Sequence, residues 1–312
     1  MVRRNFLKSA LAGSAARVAA RAAIPFPKRR YRDSVELSIV GFGGIVVIGM
    51  EQKDADANVA RAFDSGVNYF DVAPTYGDGE AEQKLGPALR PYRDKVFLAC
   101  KTTKRDAAGA REELERSLSR LYTDHFDLYQ FHGVHSKEEV ERILGPGGAA
   151  ETFRKARQEG KVRYLGCSAH TEEAALALID GFPLDSVLFP INFVSYANSQ
   201  FGARVIARAK EKGIARLALK ALAHTPFQGK DDPLHKEYPK AWYRPCTTPE
   251  LATKALRFTL SEDVTAAIPP GDAKSFWMAV DIASSFKPLT ESERGSILAE
   301  ARGTKPLFPI AG

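Results

Sequence analysis

Cysteine is scarce in this chain of 312 residues: Cys100, Cys167 and Cys246 are odd in number and far apart. That spacing implies no disulfide framework. Without C-x-x-C clusters there is no iron–sulfur ligation pattern, and no metal site is expected. Runs of 18 apolar residues are also missing, which argues against a membrane-spanning helix. The G-x-G-x-x-G turn of an open dinucleotide-binding sheet has no good match, since the glycines of Val40 to Gly44 precede no convincing helix in that register. Acidic residues are absent from positions 1–23, which hold Arg3, Arg4, Lys8, Arg17 and Arg21. Setting those five aside leaves 40 basic residues against 38 acidic ones, so most of the net charge of +7 belongs to the N-terminus. A basic nucleic-acid-binding face is therefore not expected, although Lys28, Arg29, Arg30 and Arg32 keep some positive charge local.

The N-terminus differs in composition from the rest of the chain. Arg3-Arg4-Asn5-Phe6-Leu7-Lys8 resembles the core of a twin-arginine export signal. A modest apolar stretch comes next, and small residues around Ala20 to Ala23 offer a cleavage site. Arg17 and Arg21 interrupt the part that should be apolar. The expectation is a signal-like or disordered segment over 1–30 and a folded body over 31–312. Periplasmic export by the twin-arginine machinery is the first reading of that segment, and a basic tail on a cytoplasmic protein is the second.

Within the body, short apolar runs alternate with charged stretches of helical spacing such as Leu114, Leu118 and Leu121. Strands are expected at 36–43, 67–72, 95–101, 125–132, 162–168, 186–193, 214–222 and 264–269. Helices are expected at 54–65, 79–90, 107–121, 137–159, 171–181, 200–212, 248–260 and 272–285. Runs as continuously apolar as Val96 to Cys100 suit a parallel sheet buried on both faces. Eight such units predict an α/β fold, a single (β/α)8 TIM barrel, with a short C-terminal tail after 286. A doubly wound open sheet is the alternative. The long connection 223–247 is expected either to shape access to the catalytic face or to pack Trp242 and Tyr243 down for stability.

Four residues carry the chemistry. Asp71 and Tyr76 lie in Tyr69 to Gly77, Lys101 ends Val96 to Lys101, and His132 ends Phe126 to His132. Each falls at or just past the C-terminal end of a strand, the catalytic face of a barrel. A free phenol titrates near 10 and is a poor acid at neutral pH, so an adjacent ammonium is expected to lower its pKa. A carboxylate would keep that ammonium charged, and an imidazole would orient a bound oxygen.

The order and spacing of Asp71-Val72-Ala73-Pro74-Thr75-Tyr76-Gly77, followed by Glu82 and Leu85-Gly86, then Lys101, His132 and Glu159 to Ser168, resemble the aldo-keto reductase family over roughly 35 to 285. The resemblance implies reversible reduction of an aldehyde or ketone to an alcohol, with Tyr76 as general acid and base and the substrate open among sugars, small aldehydes and quinones. It implies NADPH as cofactor, with NADH as the other option. Ser168 would hold the nicotinamide amide, although Ala169 stands where the family has Asn. Asn192 is the nearest substitute for a sixth-strand Gln, and Lys220 and Leu222 would meet the pyrophosphate. Pro269 and Gly271 would open a phosphate-facing helix, with Lys274 and Ser275 as phosphate ligands and Asp272 repelling one. His135 and His170 are candidates for ligand contact, and Cys167 is expected to be a buried thiol rather than a nucleophile. The competing reading is a nucleotide-binding sensor or regulatory protein on the same fold.

Overall fold

The computed structural model describes residues 25–308, and the signal-like reading of residues 1–23 lies outside that range. The first element is an antiparallel hairpin, β1 (Lys28–Arg32) and β2 (Val35–Ser38), turning at Asp33. The hairpin begins at Lys28, three residues before the boundary expected at 31. A parallel barrel comes next, built from β3 (Phe42–Gly43), β4 (Tyr69–Asp71), β5 (Phe97–Thr102), β6 (Phe126–Val134), β7 (Val162–Ala169), β8 (Ser186–Pro190) and β9 (Ala215–Leu219). A short antiparallel pair, β10 (Ala223–Thr225) and β11 (Arg244–Pro245), stands apart inside the long connection before the last barrel strand, β12 (Ala266–Ile268). The eight barrel strands pair in chain order. The Val40–Ala267 bridge closes the ring, through bonds from Gly41 N–H to the Ala267 carbonyl (3.0 Å) and from Ala267 N–H to the Ile39 carbonyl (2.9 Å).

Twelve helices surround the described barrel: α1 (Gln52–Asp64), α2 (Glu80–Leu89), α3 (Ala107–Arg120), α4 (Lys137–Leu144), α5 (Ala149–Gln158), α6 (Glu172–Gly181), α7 (Phe193–Ser199), α8 (Ala203–Glu211), α9 (Leu234–Glu237), α10 (Pro249–Ser261), α11 (Ala273–Ser284) and α12 (Glu291–Ala301). Local chemistry sets many of their starts. Asp106, Ser136, Thr171 and Thr248 each accept an N–H from the first turn of the helix they cap. The single helix expected over 137–159 is two helices, because Pro146 lies between glycines and Gly147 adopts φ 69°. The strand expected over 186–193 ends at Pro190. Asn192 then caps α7, accepting the Ser195 N–H at 2.9 Å.

Strand alternation divides the core. Along β5, Phe97 and Ala99 face the barrel interior while Leu98 and Cys100 face the helices. The interior layer at the N-terminal end holds Tyr69, Phe97, Leu128 and Tyr164, and the hairpin seals it with Tyr31 and Leu37. The Tyr31 ring lies 5.0 Å from Phe97 and 5.3 Å from Tyr164. With that end filled, the inward positions at the other end are free to carry polar groups.

Candidate active site

Period-two alternation continues inward from the apolar layer to the chemistry. Two residues beyond Tyr69 on β4 comes Asp71. Two beyond Ala99 on β5 comes Lys101, and beyond Leu128 on β6 come Gln130 and His132. Lys101 is fully buried. Its ammonium donates to Asp71 Oδ1, to the Val72 carbonyl at 3.2 Å and to the Tyr76 hydroxyl oxygen at 3.2 Å. An ammonium has three donors, and all three are engaged. The second oxygen of Asp71 accepts from Tyr69 Oη (3.2 Å) and Gln130 Nε2 (3.1 Å). The sequence motif does not point to these two supports. Strand alternation could have found them, since Tyr69 shares a strand and a face with Asp71, and Gln130 does with His132.

Tyr76 follows the end of β4 on a tight turn in which Gly77 takes φ 59° and Asp78 φ 51°. Lys101 donates to its oxygen, so the phenolic proton is left to point elsewhere. Burial raises the Tyr76 pKa above its ordinary value, and Lys101 opposes that rise without overcoming it. The ammonium lowers the phenol pKa as expected, but in this apolar setting desolvation outweighs that effect. Burial also opposes the charge on Lys101, but Asp71 and Tyr76 together hold its pKa above the ordinary value. His132 stands edge-on to Tyr76, with ring centroids 5.6 Å apart. Burial, and then the nearby Lys101 charge, drive its pKa well below the usual range, so the imidazole is neutral. Arg105 fixes the backbone here, donating to the carbonyls of His132 (3.0 Å) and Gly133 (3.2 Å).

These side chains open onto a cavity of about 270 Å³. Of the residues expected to touch cofactor, Ser168, Lys220, Pro269 and Gly271 line it, as does His170. Four others do not. The Asn192 carbonyl is spent on the cap of α7, Leu222 is fully buried in the helix-side core, Ser275 is buried in the first turn of α11, and Lys274 lies outside the cavity in an ion pair with Glu237 of α9. His135 is one ring removed from the wall, with its centroid 5.1 Å from that of His170. Cys167 is fully buried and its thiol pKa is pushed up, so it is not poised as a nucleophile.

One feature of the wall suits an anionic nucleotide. Lys220 has φ 67°, and its ammonium lies 4.9 Å from both the Trp242 and the Tyr243 rings. Burial pushes its pKa down to about 8, with no carboxylate among the described residues to oppose the shift. Gly271 comes so close to Ile45 that a Cβ there would fall 2.2 Å from the Ile45 side chain. The segment 240–243 forms another wall of the cavity, and Lys240 pins it by donating to the Val46 carbonyl at 2.8 Å. Both expectations for the long connection find a residue: Tyr243 is buried, while Trp242 is 54% exposed at the cavity mouth. Phe308 of the tail packs beside it, 6.1 Å from both Trp242 and His170.

Fold and site together define an eight-stranded α/β barrel with a buried Asp–Lys–Tyr–His cluster facing a cavity at the C-terminal ends of its strands. The model of the aldo/keto reductase family matches residues 40–267, and the chain belongs to that family. It is 31% identical over 213 residues to aldo-keto reductase YhdN of Bacillus subtilis, a match covering 63% of this chain and 62% of the relative. The chain thus spans less than two thirds of that curated relative. In structure it resembles aldo-keto reductase AKR11C1 of Bacillus halodurans (TM-score 0.71, 23% identity, 90% of this chain and 98% of the other). It also resembles the Klebsiella pneumoniae aldo-keto reductase solved in complex with NADPH (TM-score 0.66, 22% identity, 89% and 96%). At those identities the structural likeness bears on the fold alone. Among the described residues no helix is long and apolar enough to cross a membrane.

Proposed function

We propose that the chain reversibly reduces an aldehyde or ketone to an alcohol, using a nicotinamide dinucleotide. A bound nicotinamide supplies the hydride that reaches the carbonyl carbon. The carbonyl oxygen then gains negative charge and needs a proton, and Tyr76 donates it as general acid. Its raised pKa keeps it protonated at neutral pH, the state reduction requires. Lys101 lies 3.2 Å from the phenolic oxygen, so it stabilises the phenolate that remains. Asp71 holds Lys101 charged, and Tyr69 and Gln130 hold Asp71. Neutral His132 donates to the substrate oxygen and fixes its direction. In oxidation the Tyr76 phenolate accepts the alcohol proton.

The observation that carries this reading is the fully engaged Lys101, which leaves the phenolic proton of Tyr76 directed away from it. One residue present also fits a dinucleotide: Lys220 is a cation on the cavity wall with no carboxylate partner among the described residues. The competing reading, a nucleotide-binding sensor with little turnover, draws support from the four expected cofactor residues that lie off the cavity. Carbonyl-dependent oxidation of reduced nicotinamide separates the two. The Tyr76→Phe variant is expected to lose about 10³-fold in kcat/KM while binding the dinucleotide as the parent does. Equal turnover by parent and variant would reject the mechanism.

A further inference from the structure

We infer that Arg105 is a positioning residue for His132, aiming the imidazole at the substrate oxygen by holding a stretch of backbone that the barrel sheet leaves unpaired. The inference rests on the reading of Tyr76, Lys101 and His132 as the machinery of carbonyl reduction. It adds to them a residue that does not line the cavity.

The sheet grips β6 as far as Phe131. Pairing with β5 ends at Thr102 and Phe131, and pairing with β7 passes from Phe131–Cys167 directly to Val134–Ala169. His132 and Gly133 fall in that gap, where Gly133 takes φ 59°. The ring has no anchor of its own at Nδ1, which is buried without a hydrogen-bond partner among the described residues. Its direction therefore rests on packing and on the backbone that carries it.

Arg105 supplies the hold that the sheet does not. It follows β5 in the loop beyond Lys101, and its side chain is only 10% exposed. Nη2 donates to the His132 carbonyl at 3.0 Å and to the Gly133 carbonyl at 3.2 Å. Glu139, in the first turn of α4, holds the guanidinium in turn. Its Oε1 lies 3.4 Å from Nε and 3.3 Å from Nη2, while Oε2 accepts the His135 N–H at 2.7 Å. The stretch from 132 to 139 is thus closed through one guanidinium and one carboxylate, and tied to the loop that follows Lys101. A planar guanidinium can meet two carbonyls and a carboxylate together, whereas an ammonium on a flexible stem has no such fork. Burial opposes protonation of the His132 ring most, Lys101 next, and the Arg105 charge adds to them.

The test is a double-mutant cycle on the full chain, reading kcat for reduction of benzaldehyde or glyceraldehyde with NADPH or NADH. Dinucleotide titration checks that each variant is folded. Arg105→Met is expected to lower kcat about 10²-fold, the scale of a small misplacement of a reacting group, and to leave dinucleotide affinity at the parent value. Arg105→Lys should recover part of that loss. With His132→Ala in place, Arg105→Met should cost less than about twofold more, because groups acting through one another are not additive. An equal loss in both backgrounds would show that Arg105 acts on something other than His132 and would overturn the assignment. An unchanged kcat in Arg105→Met would do the same. If Arg105→Met does not fold, Glu139→Gln takes its place in the cycle, with a smaller loss that again vanishes in the His132→Ala background. Independently of turnover, the imidazole nitrogen resonances of His132 should move in Arg105→Met, and unmoved resonances would also overturn the assignment. If the parent reduces neither carbonyl, the reductase reading itself falls and takes this inference with it, a result seen before any substitution is made.

Discussion

Lys101 gives all three of its protons inside the barrel, and this makes the cluster sensitive to losing any one acceptor. Asp71→Asn would leave a fully buried ammonium beside a neutral amide. Removing one member of a buried pair strands the other, and a loss of about 3 kcal/mol in unfolding free energy is expected, read by denaturant titration. Lys220 is a second ammonium in an apolar setting, with its pKa brought from 10.5 down to about 8 by burial. It can hold an anion only while protonated. Dinucleotide affinity is therefore expected to weaken as pH rises through about 8, and Lys220→Met should remove that dependence. The linkage has the opposite sign for stability. Between the folded value and 10.5 the unfolded chain binds more protons, so this residue makes stability rise with pH there. An affinity profile flat from pH 7 to 9 in the parent would reject the role of Lys220. At this scale the sequence was legible where strand period and motif coincide, at Asp71, Tyr76, Lys101 and His132. It was not legible where a side chain had two uses open to it. Asn192 is chemically able to bind an amide, but the α7 cap claims its carbonyl first.

The elements were legible where apolar period ran uninterrupted, and their ends were not. Six of the expected helices fall within about two residues of α1, α2, α3, α6, α10 and α11. The division of 137–159 depended on the backbone of Gly145 to Gly148, where missing donors and positive φ outweigh side-chain pattern. The long connection was least legible, because its contacts reach across the barrel. Lys240 reaches the Val46 carbonyl, Glu237 reaches Lys274, and Trp242 meets Phe308. None of these pairs is near in sequence. If these ties hold the connection over the cavity, Lys240→Met should speed dinucleotide release, measured by stopped-flow fluorescence, with little change in thermal midpoint. A release rate equal to that of the parent would show that the Lys240 contact plays no part in retaining ligand.

The whole molecule divides labour between its two ends. The hairpin fills the N-terminal end with Tyr31 and Leu37, and the Asp71–Lys101–Tyr76–His132 cluster lies at the other. Tyr31→Ala should lower unfolding free energy by about 3 kcal/mol, as large-to-small changes in a packed core do, and leave kcat unchanged at temperatures where the protein stays folded. A fall in kcat without loss of stability would contradict that separation. The barrel type was legible from eight repeating units, whereas the seam was not, because closure depends on how short β3 and β12 turn out to be. Among the described residues the Val40–Ala267 bridge alone joins the two sides of the seam, and the cavity straddles it, with Ile45 on one side and Pro269 to Gly271 on the other. A ligand lying across that line acts as a clasp on an otherwise lightly fastened ring. The amides of Gly41 and Ala267 should therefore exchange with solvent sooner than those of β5 to β7, and slow most when the clasp is in place.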